Sequence, residues 1–169
     1  LPDPQRTHVV FLGDNGTPVA VVEPPLQPTR AKGTPYEGGV RVPLIVAGTA
    51  VVDPGREETA VVAAGVDIFS TVVEWAGADL TAAIPPWVAI DGVSIVPYLR
   101  GEGHEPLRNT VLTERFGGTD YAQITANGFA AVRDERYKVI ARFPADDALA
   151  HVEMYDLESD PGESRNLAG

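Results

Sequence analysis

Thirteen residues, Ala31-Lys32-Gly33-Thr34-Pro35-Tyr36-Glu37-Gly38-Gly39-Val40-Arg41-Val42-Pro43, carry the composition in this chain best suited to holding an anion. They include three glycines, two prolines, two cations and one carboxylate. Glycines remove the Cβ barrier to close backbone approach and prolines fix φ, so the segment reads as a stiff, shaped loop. Lys32 stands beside Gly33, where a compact ammonium reaches an anion without side-chain crowding. Upstream, Asp14-Asn15 lies between Gly13 and Gly16 and offers hard oxygen donors of the kind that Ca²⁺ and Mg²⁺ take. Neighbouring side chains on a strand point to opposite faces. Both oxygens therefore reach one ion only if the backbone leaves strand geometry, which the flanking glycines allow. Asn15-Gly16 is also a hairpin signal, with Val19 to Val22 as the return strand. From these residues alone the hairpin is the favoured reading.

Other groups carry less. His8, His104 and His151 share no metal-ligand spacing, and Ser94 and Thr34 have no adjacent base to activate them as nucleophiles. The chain has no cysteine, which excludes disulfides, thiolate metal sites and a cysteine nucleophile within it. Thirteen Lys and Arg against 24 Asp and Glu give a net charge of −11, which disfavours nucleic acid and anionic membranes as partners. No apolar stretch approaches the roughly 18 residues that a membrane helix needs.

The elements that must position these residues follow from apolar patterning. At 169 residues with a 44% apolar share, the chain can build one ordinary core. His8 to Leu12 and Leu44 to Ala47 read as short buried strands, each stopped by a glycine. Pro24, Pro25 and Pro28 make the stretch between them a loop or linker. Val62, Val66, Phe69 and Val73 recur at helical spacing, which predicts a helix over 68–76 with Asp67 as N-cap and Gly77 as the stop. Trp75 and Trp87 are expected to pack. Thr110 to Glu114, Phe129 to Val132, Tyr137 to Arg142 and Val152 to Leu157 suggest an antiparallel meander after a charged boundary at Arg100 to Arg108.

The ordered set of motifs resembles the second half of a type I sulfatase. It comprises Asp14-Asn15-Gly16 after a strand, the Lys32–Pro43 loop, Val66 to Val72, Asp91-Gly92-Val93-Ser94, Ala131-Val132-Arg133 through Tyr137-Lys138, and Met154-Tyr155-Asp156-Leu157 with Asp160-Pro161-Gly162-Glu163 and Asn166-Leu167. The resemblance reverses the hairpin preference. It implies an α/β fold: the C-terminal part of an alkaline-phosphatase-like α/β/α sandwich over 1–108, then a small antiparallel sheet subdomain over 109–169. It also implies that Asp14 and Asn15 are ligands of a Ca²⁺ ion, ahead of Mg²⁺, and that Lys32 contacts the sulfate being transferred. Glu37 and Arg41 fit the family pattern as a pair supporting the loop, and Arg115 and Tyr121 stand where the small sheet can border a substrate cleft.

The departures are equally specific. The family's nucleophile is a formylglycine made from cysteine in a Cys-x-Pro-x-Arg motif, and this chain has neither. That group, with the other half of the metal site, is expected upstream of Leu1. The chain alone is expected to be inactive on sulfate esters, and to contact an N-terminal sulfatase portion or itself through apolar edges. A phosphate or phosphonate ester substrate, or a non-catalytic binding or assembly module on the same fold, are the alternatives.

Overall fold

The computed structural model describes residues 3, 6–58, 62–103, 106–116, 128–143 and 151–169. In chain order its elements are β1 (His8–Leu12), single 3₁₀ turns at Val19–Val21 and Pro28–Arg30, α1 (Glu37–Val40), β2 (Leu44–Gly48), α2 (Asp67–Trp75), α3 (Leu80–Ala83), α4 (Val96–Leu99), β3 (Val111–Arg115), β4 (Gly128–Arg133), β5 (Tyr137–Phe143) and β6 (His151–Asp156). They form two compact units. One contains Leu1–Leu12 with Leu44–Asn109, and the other Gly13–Pro43 with Thr110–Gly169. The grouping is not a single cut in sequence, because the loop around Lys32 clusters with the C-terminal sheet.

In the first unit β1 pairs antiparallel with β2, from His8 opposite Gly48 to Leu12 opposite Leu44. This corrects the hairpin reading: the partner of β1 is β2, and Val19–Val21 is a 3₁₀ turn. The predicted helix forms as α2, but its cap differs from expectation. Val66 occupies the N-cap position, and Asp67 is the first helical residue. The fully buried Asp67 carboxylate accepts from Ala64 N at 2.7 Å and Val93 N at 2.8 Å, and it pairs with Arg108. A buried carboxylate needs such partners, and the loops on either side supply them.

The polar face of α2 is the covered one. Asp67, Ser70 and Thr71 are buried; Ser70 Oγ donates to Gly92 O at 2.8 Å, and Ile95 N donates to Thr71 Oγ1 at 3.1 Å. The apolar stripe read at helical spacing is only partly covered: Val62 and Val73 are half-buried, while Val66 and Phe69 are 53% and 52% exposed. The same holds for one face of the β1–β2 ribbon, where Val9, Phe11 and Ile45 are exposed. Trp75 is half-buried with its ring stacked on His8 at 4.7 Å between centroids. Trp87, by contrast, expected to pack, is 83% exposed.

Among the described residues the second unit holds the predicted meander, four antiparallel strands in the order β3-β4-β5-β6. The turn between β4 and β5 is shaped by Asp134, whose carboxylate accepts from Arg136 N and Tyr137 N at 2.8 and 2.5 Å. Those backbone donors, Tyr137 first, hold the Asp134 carboxyl below its ordinary range. Period-2 alternation sends Ala131, Ile140 and Tyr155 to one face, where they meet Tyr36 from the Lys32 loop in a small core.

Candidate functional site

Backbone hydrogen bonds bring the two candidate motifs together. Gly13 N donates to Pro43 O and Gly16 N to Gly39 O, both at 3.0 Å; Thr17 N donates to Gly38 O and Lys32 N to Thr17 O, both at 2.9 Å. Residues 13–17 thus run along the 31–43 loop. Gly16 is obligatory in this contact, since a Cβ there would collide with the Gly38 carbonyl. Asp14 and Asn15 form a bend, so the backbone has left strand geometry between the two glycines. Asp14, Asn15 and Lys32 are all exposed. None of the three side chains makes a hydrogen bond or ion pair among the described residues, so their polar atoms are open to a ligand.

The loop owes its course to its glycines and to one arginine. Gly33 takes φ +86°, a left-handed conformation suited to glycine. Its carbonyl accepts from Arg115 Nη1 at 2.6 Å, so Arg115 reaches the residue next to Lys32. Thr34 turns back on Ala31 through its backbone N–H at 3.2 Å and its hydroxyl at 2.7 Å. Tyr121 and His104 lie outside the described residues.

Behind the loop sits a buried ionic centre. Glu37, 4% exposed, bonds Lys138 Nζ through Oε1 and Arg133 Nη1 through Oε2, each at 2.9 Å. Lys138 Nζ also lies 3.0 Å from Glu163 Oε1, and Glu163 Oε2 accepts from Glu37 N at 2.6 Å. Burial pushes the Glu163 carboxyl above its ordinary value, against the pull of the Lys138 charge. The expected Glu37–Arg41 side-chain pair does not form. Arg41 is exposed and meets Glu37 through its backbone, Arg41 N to Glu37 O at 2.9 Å. Two cations from the sheet reach the Glu37 carboxylate instead.

A second cluster adjoins the first through Tyr36. Glu153 Oε2 accepts from Tyr36 Oη at 2.7 Å and Tyr155 Oη at 2.6 Å, and Arg142 Nε lies 3.5 Å from Glu153 Oε1. Burial opposes ionisation of Glu153, but the two phenol hydrogen bonds and the Arg142 charge outweigh it and hold the carboxyl below its usual value. Burial, with the Glu153 carboxylate, pushes the Tyr155 phenol up. Arg30 stands over the rings of Tyr36 and Tyr155, 4.6 and 5.3 Å from their centroids.

Sequence reasoning singled out Asp14, Asn15 and Lys32 as candidates and assigned no role to Lys138, Glu153 or Glu163. One signal was available for Lys138. It is two residues from Ile140 on a strand, so the period that buries Ile140 buries the lysine too.

A family model described as N-sulphoglucosamine sulphohydrolase, C-terminal, matches residues 31–169. The chain belongs to the sulfatase family. A sulfatase of Formosa agariphila is 32% identical over 96% of this chain, and human arylsulfatase A is 31% identical over 98% of it. The chain spans 29% and 34% of those two proteins, about a third or less of a sulfatase. In solved structures a 2-O GAG sulfatase matches with TM-score 0.74 and 25% identity over 97% of this chain and 32% of its own. A phosphonate monoester hydrolase of Agrobacterium radiobacter matches with TM-score 0.57 and 27% identity over 82% of this chain and 27% of its own. The fold is therefore the C-terminal α/β part of a sulfatase with its small antiparallel sheet.

Proposed function

We propose that this sulfatase portion forms one wall of a sulfate monoester hydrolase site, with Lys32 contacting the sulfate. The supporting observation is the Lys32 N to Thr17 O bond, which ties the backbone of the residue bearing the open ammonium to the segment carrying Asp14 and Asn15. Cleavage of an S–O bond moves negative charge onto the sulfuryl and leaving-group oxygens. A fixed ammonium facing those oxygens lowers the barrier by electrostatic stabilisation, provided that it is in place beforehand.

Asp14 and Asn15 are proposed to hold part of a Ca²⁺ site. Their hard oxygens, without hydrogen-bond or ion-pair partners among the described residues, suit that ion. They supply only part of the six to eight oxygens that Ca²⁺ takes, and among the described residues no group of three or more acidic, His or Cys side chains adds to them. When bound, the ion supplies positive charge to sulfate oxygens. The formylglycine nucleophile and the remaining ligands are assigned to the rest of the sulfatase chain. That same polypeptide is proposed to cover the open face of Val9, Phe11 and Ile45.

Among solved structures the 2-O GAG sulfatase covers 97% of this chain at TM-score 0.74, against 82% at 0.57 for the phosphonate hydrolase, which favours sulfate over phosphonate esters as substrate. The test is Lys32→Ala in the protein that carries this chain together with its nucleophile. Hydrolysis of 4-nitrophenyl sulfate is expected to fall by roughly 10²–10³ in kcat. An unchanged kcat/KM overturns the assignment of Lys32. Binding of sulfated ligand without turnover, in protein with an intact nucleophile segment, would favour the non-catalytic module.

A further inference from the structure

Arg30 and Glu37 stand on either side of Lys32, and consecutive residues of the C-terminal tail hold them both. Arg30 Nη1 donates to Gly162 O at 3.2 Å, and Glu37 N donates to Glu163 Oε2 at 2.6 Å. Between these holds the chain makes its Gly33 turn and presents Lys32 to solvent. Glu37 is gripped twice. Glu163 takes its backbone N–H, and the Lys138 ammonium that Glu163 faces at 3.0 Å takes its side chain at 2.9 Å. The tail also presses on the segment leading into the loop, since a Cβ on Gly162 would collide with Pro25 O.

Glu163 itself is in an unfavourable setting. It is 1% exposed, and its φ of +56° lies in the left-handed region that a side chain rarely adopts. Such a conformation persists only where the surroundings over-determine it. A buried ion pair is also a weak source of stability compared with apolar packing, and its best-attested use is to fix register. A carboxylate buried at that backbone angle, bonded to the span that bears the open lysine, is suited to holding geometry.

Resting on the reading of Lys32 above, we infer that Glu163 is a positioning residue for the sulfate site. It fixes Glu37, and through Glu37 the span carrying Lys32, so that the ammonium is in place before the anion arrives. The tail residues Asp160 to Glu163, far from Lys32 in sequence, become part of the site's supporting structure. Asp160 shapes that stretch by accepting from Ser164 N and Arg165 N at 2.9 and 2.7 Å.

The test compares Glu163→Ala and Glu163→Gln in the full-length protein by hydrogen exchange and by kinetics. The Ala variant removes the acceptor for Glu37 N, while Gln keeps an amide oxygen for it. With Ala, exchange of the amides at 31–34 is expected to rise about tenfold or more while those of β4 and β5 keep their protection. The kcat per folded molecule is expected to fall roughly 10- to 100-fold with KM within about threefold, as for a displaced group acting in the transition state. Gln is expected to restore most of both. Exchange that rises equally across β4, β5 and residues 31–34, or not at all, overturns the inference, because a purely stabilising residue gives no local signal. If the Ala variant does not fold, Glu163→Asp replaces it: the shorter side chain keeps its charge but cannot span Glu37 N and Lys138, so wild-type exchange at 31–34 in Asp overturns it. The exchange readout is independent of Lys32 chemistry. Local loosening with Lys32→Ala fully active would sink the Lys32 reading and leave the latch standing.

Discussion

The Lys138 ammonium lies 2.9 Å from the Glu37 carboxylate, with both side chains almost wholly withdrawn from water. This contact joins α1, in the Lys32 loop, to the second strand from the sheet's edge. It ties the proposed chemistry to the C-terminal sheet.

Removing Lys138 leaves the buried Glu163 carboxyl without its cation and Glu37 with Arg133 alone. Lys138→Met is expected to destabilise the protein by about 3–5 kcal/mol, read as a lower urea midpoint with little change in slope. Replacing Lys138, Glu37 and Glu163 together with apolar residues of similar volume is expected to recover much of that loss while leaving loop geometry poorly defined. Stability within about 1 kcal/mol of wild type for Lys138→Met alone would contradict the buried pairing.

Gly16→Ala tests the apposition of residues 13–17 with the loop. The added methyl meets the Gly38 carbonyl and the Gly39 backbone, neither of which can rotate away. A loss of about 1–3 kcal/mol or more is expected, together with loss of activity in the assembled enzyme. Gly55→Ala is the control: nothing lies within 4 Å of its Cβ position, so the variant carries only the cost of its left-handed φ of +92°.

The metal proposal is checked by calorimetry with Ca²⁺ on the protein that carries the whole site. Wild type is expected to give a saturable binding signal that Asp14→Ala weakens at least tenfold, as befits loss of one charged oxygen ligand from a hard-cation site. Identical titrations for the two proteins would remove Asp14 from the metal site.

Acid sensitivity of the sheet unit follows from Asp156. Arg136 donates to it at 3.1 and 2.8 Å, and this, with the arginine's charge, holds the carboxyl down to about 2 against an ordinary value of 3.8. A carboxyl depressed in the folded state contributes stability that is complete above the unfolded value and lost as pH falls through the folded one. The contribution should therefore fade between about pH 4 and 2. Arg136→Ala is expected to raise the acid-unfolding midpoint, and added salt should shrink the difference because the arginine is half exposed. A midpoint that does not move with Arg136→Ala would mean that the pair contributes nothing.

Open apolar surface gives the last expectation. Val9, Phe11 and Ile45 share one face of the β1–β2 ribbon, since Phe11 is opposite Ile45 in the register. The 169-residue chain by itself is expected to self-associate and to bind a hydrophobic dye, and Phe11→Asp with Ile45→Lys is expected to reduce both. A dye-silent monomer by sedimentation would show that this face needs no cover.

Local chemistry alone determines much of this molecule. The β-branched runs at His8 to Leu12 and Leu44 to Ala47 specify strands because branching at Cβ suits the pleat, and the alternation around Ala131 and Ile140 specifies one face of the sheet. The glycines around Lys32 and Asp14 mark where backbone must approach backbone. Partners are another matter. Glu37 and Lys138 stand 101 positions apart, and no periodicity tells a carboxylate which of several cations will be nearest once the chain is folded. For that reason Arg41, four residues away and with the right charge, was the expected partner, and the fold chose Lys138 and Arg133. Asp67 shows the same limit, a plausible cap by sequence that folding turned into a buried receptor for two loops. Hydrophobic spacing likewise fixed the apolar stripe of α2 but not which stripe is covered. Burial is decided by what packs against a face, and that is a property of the whole assembled fold rather than of the segment.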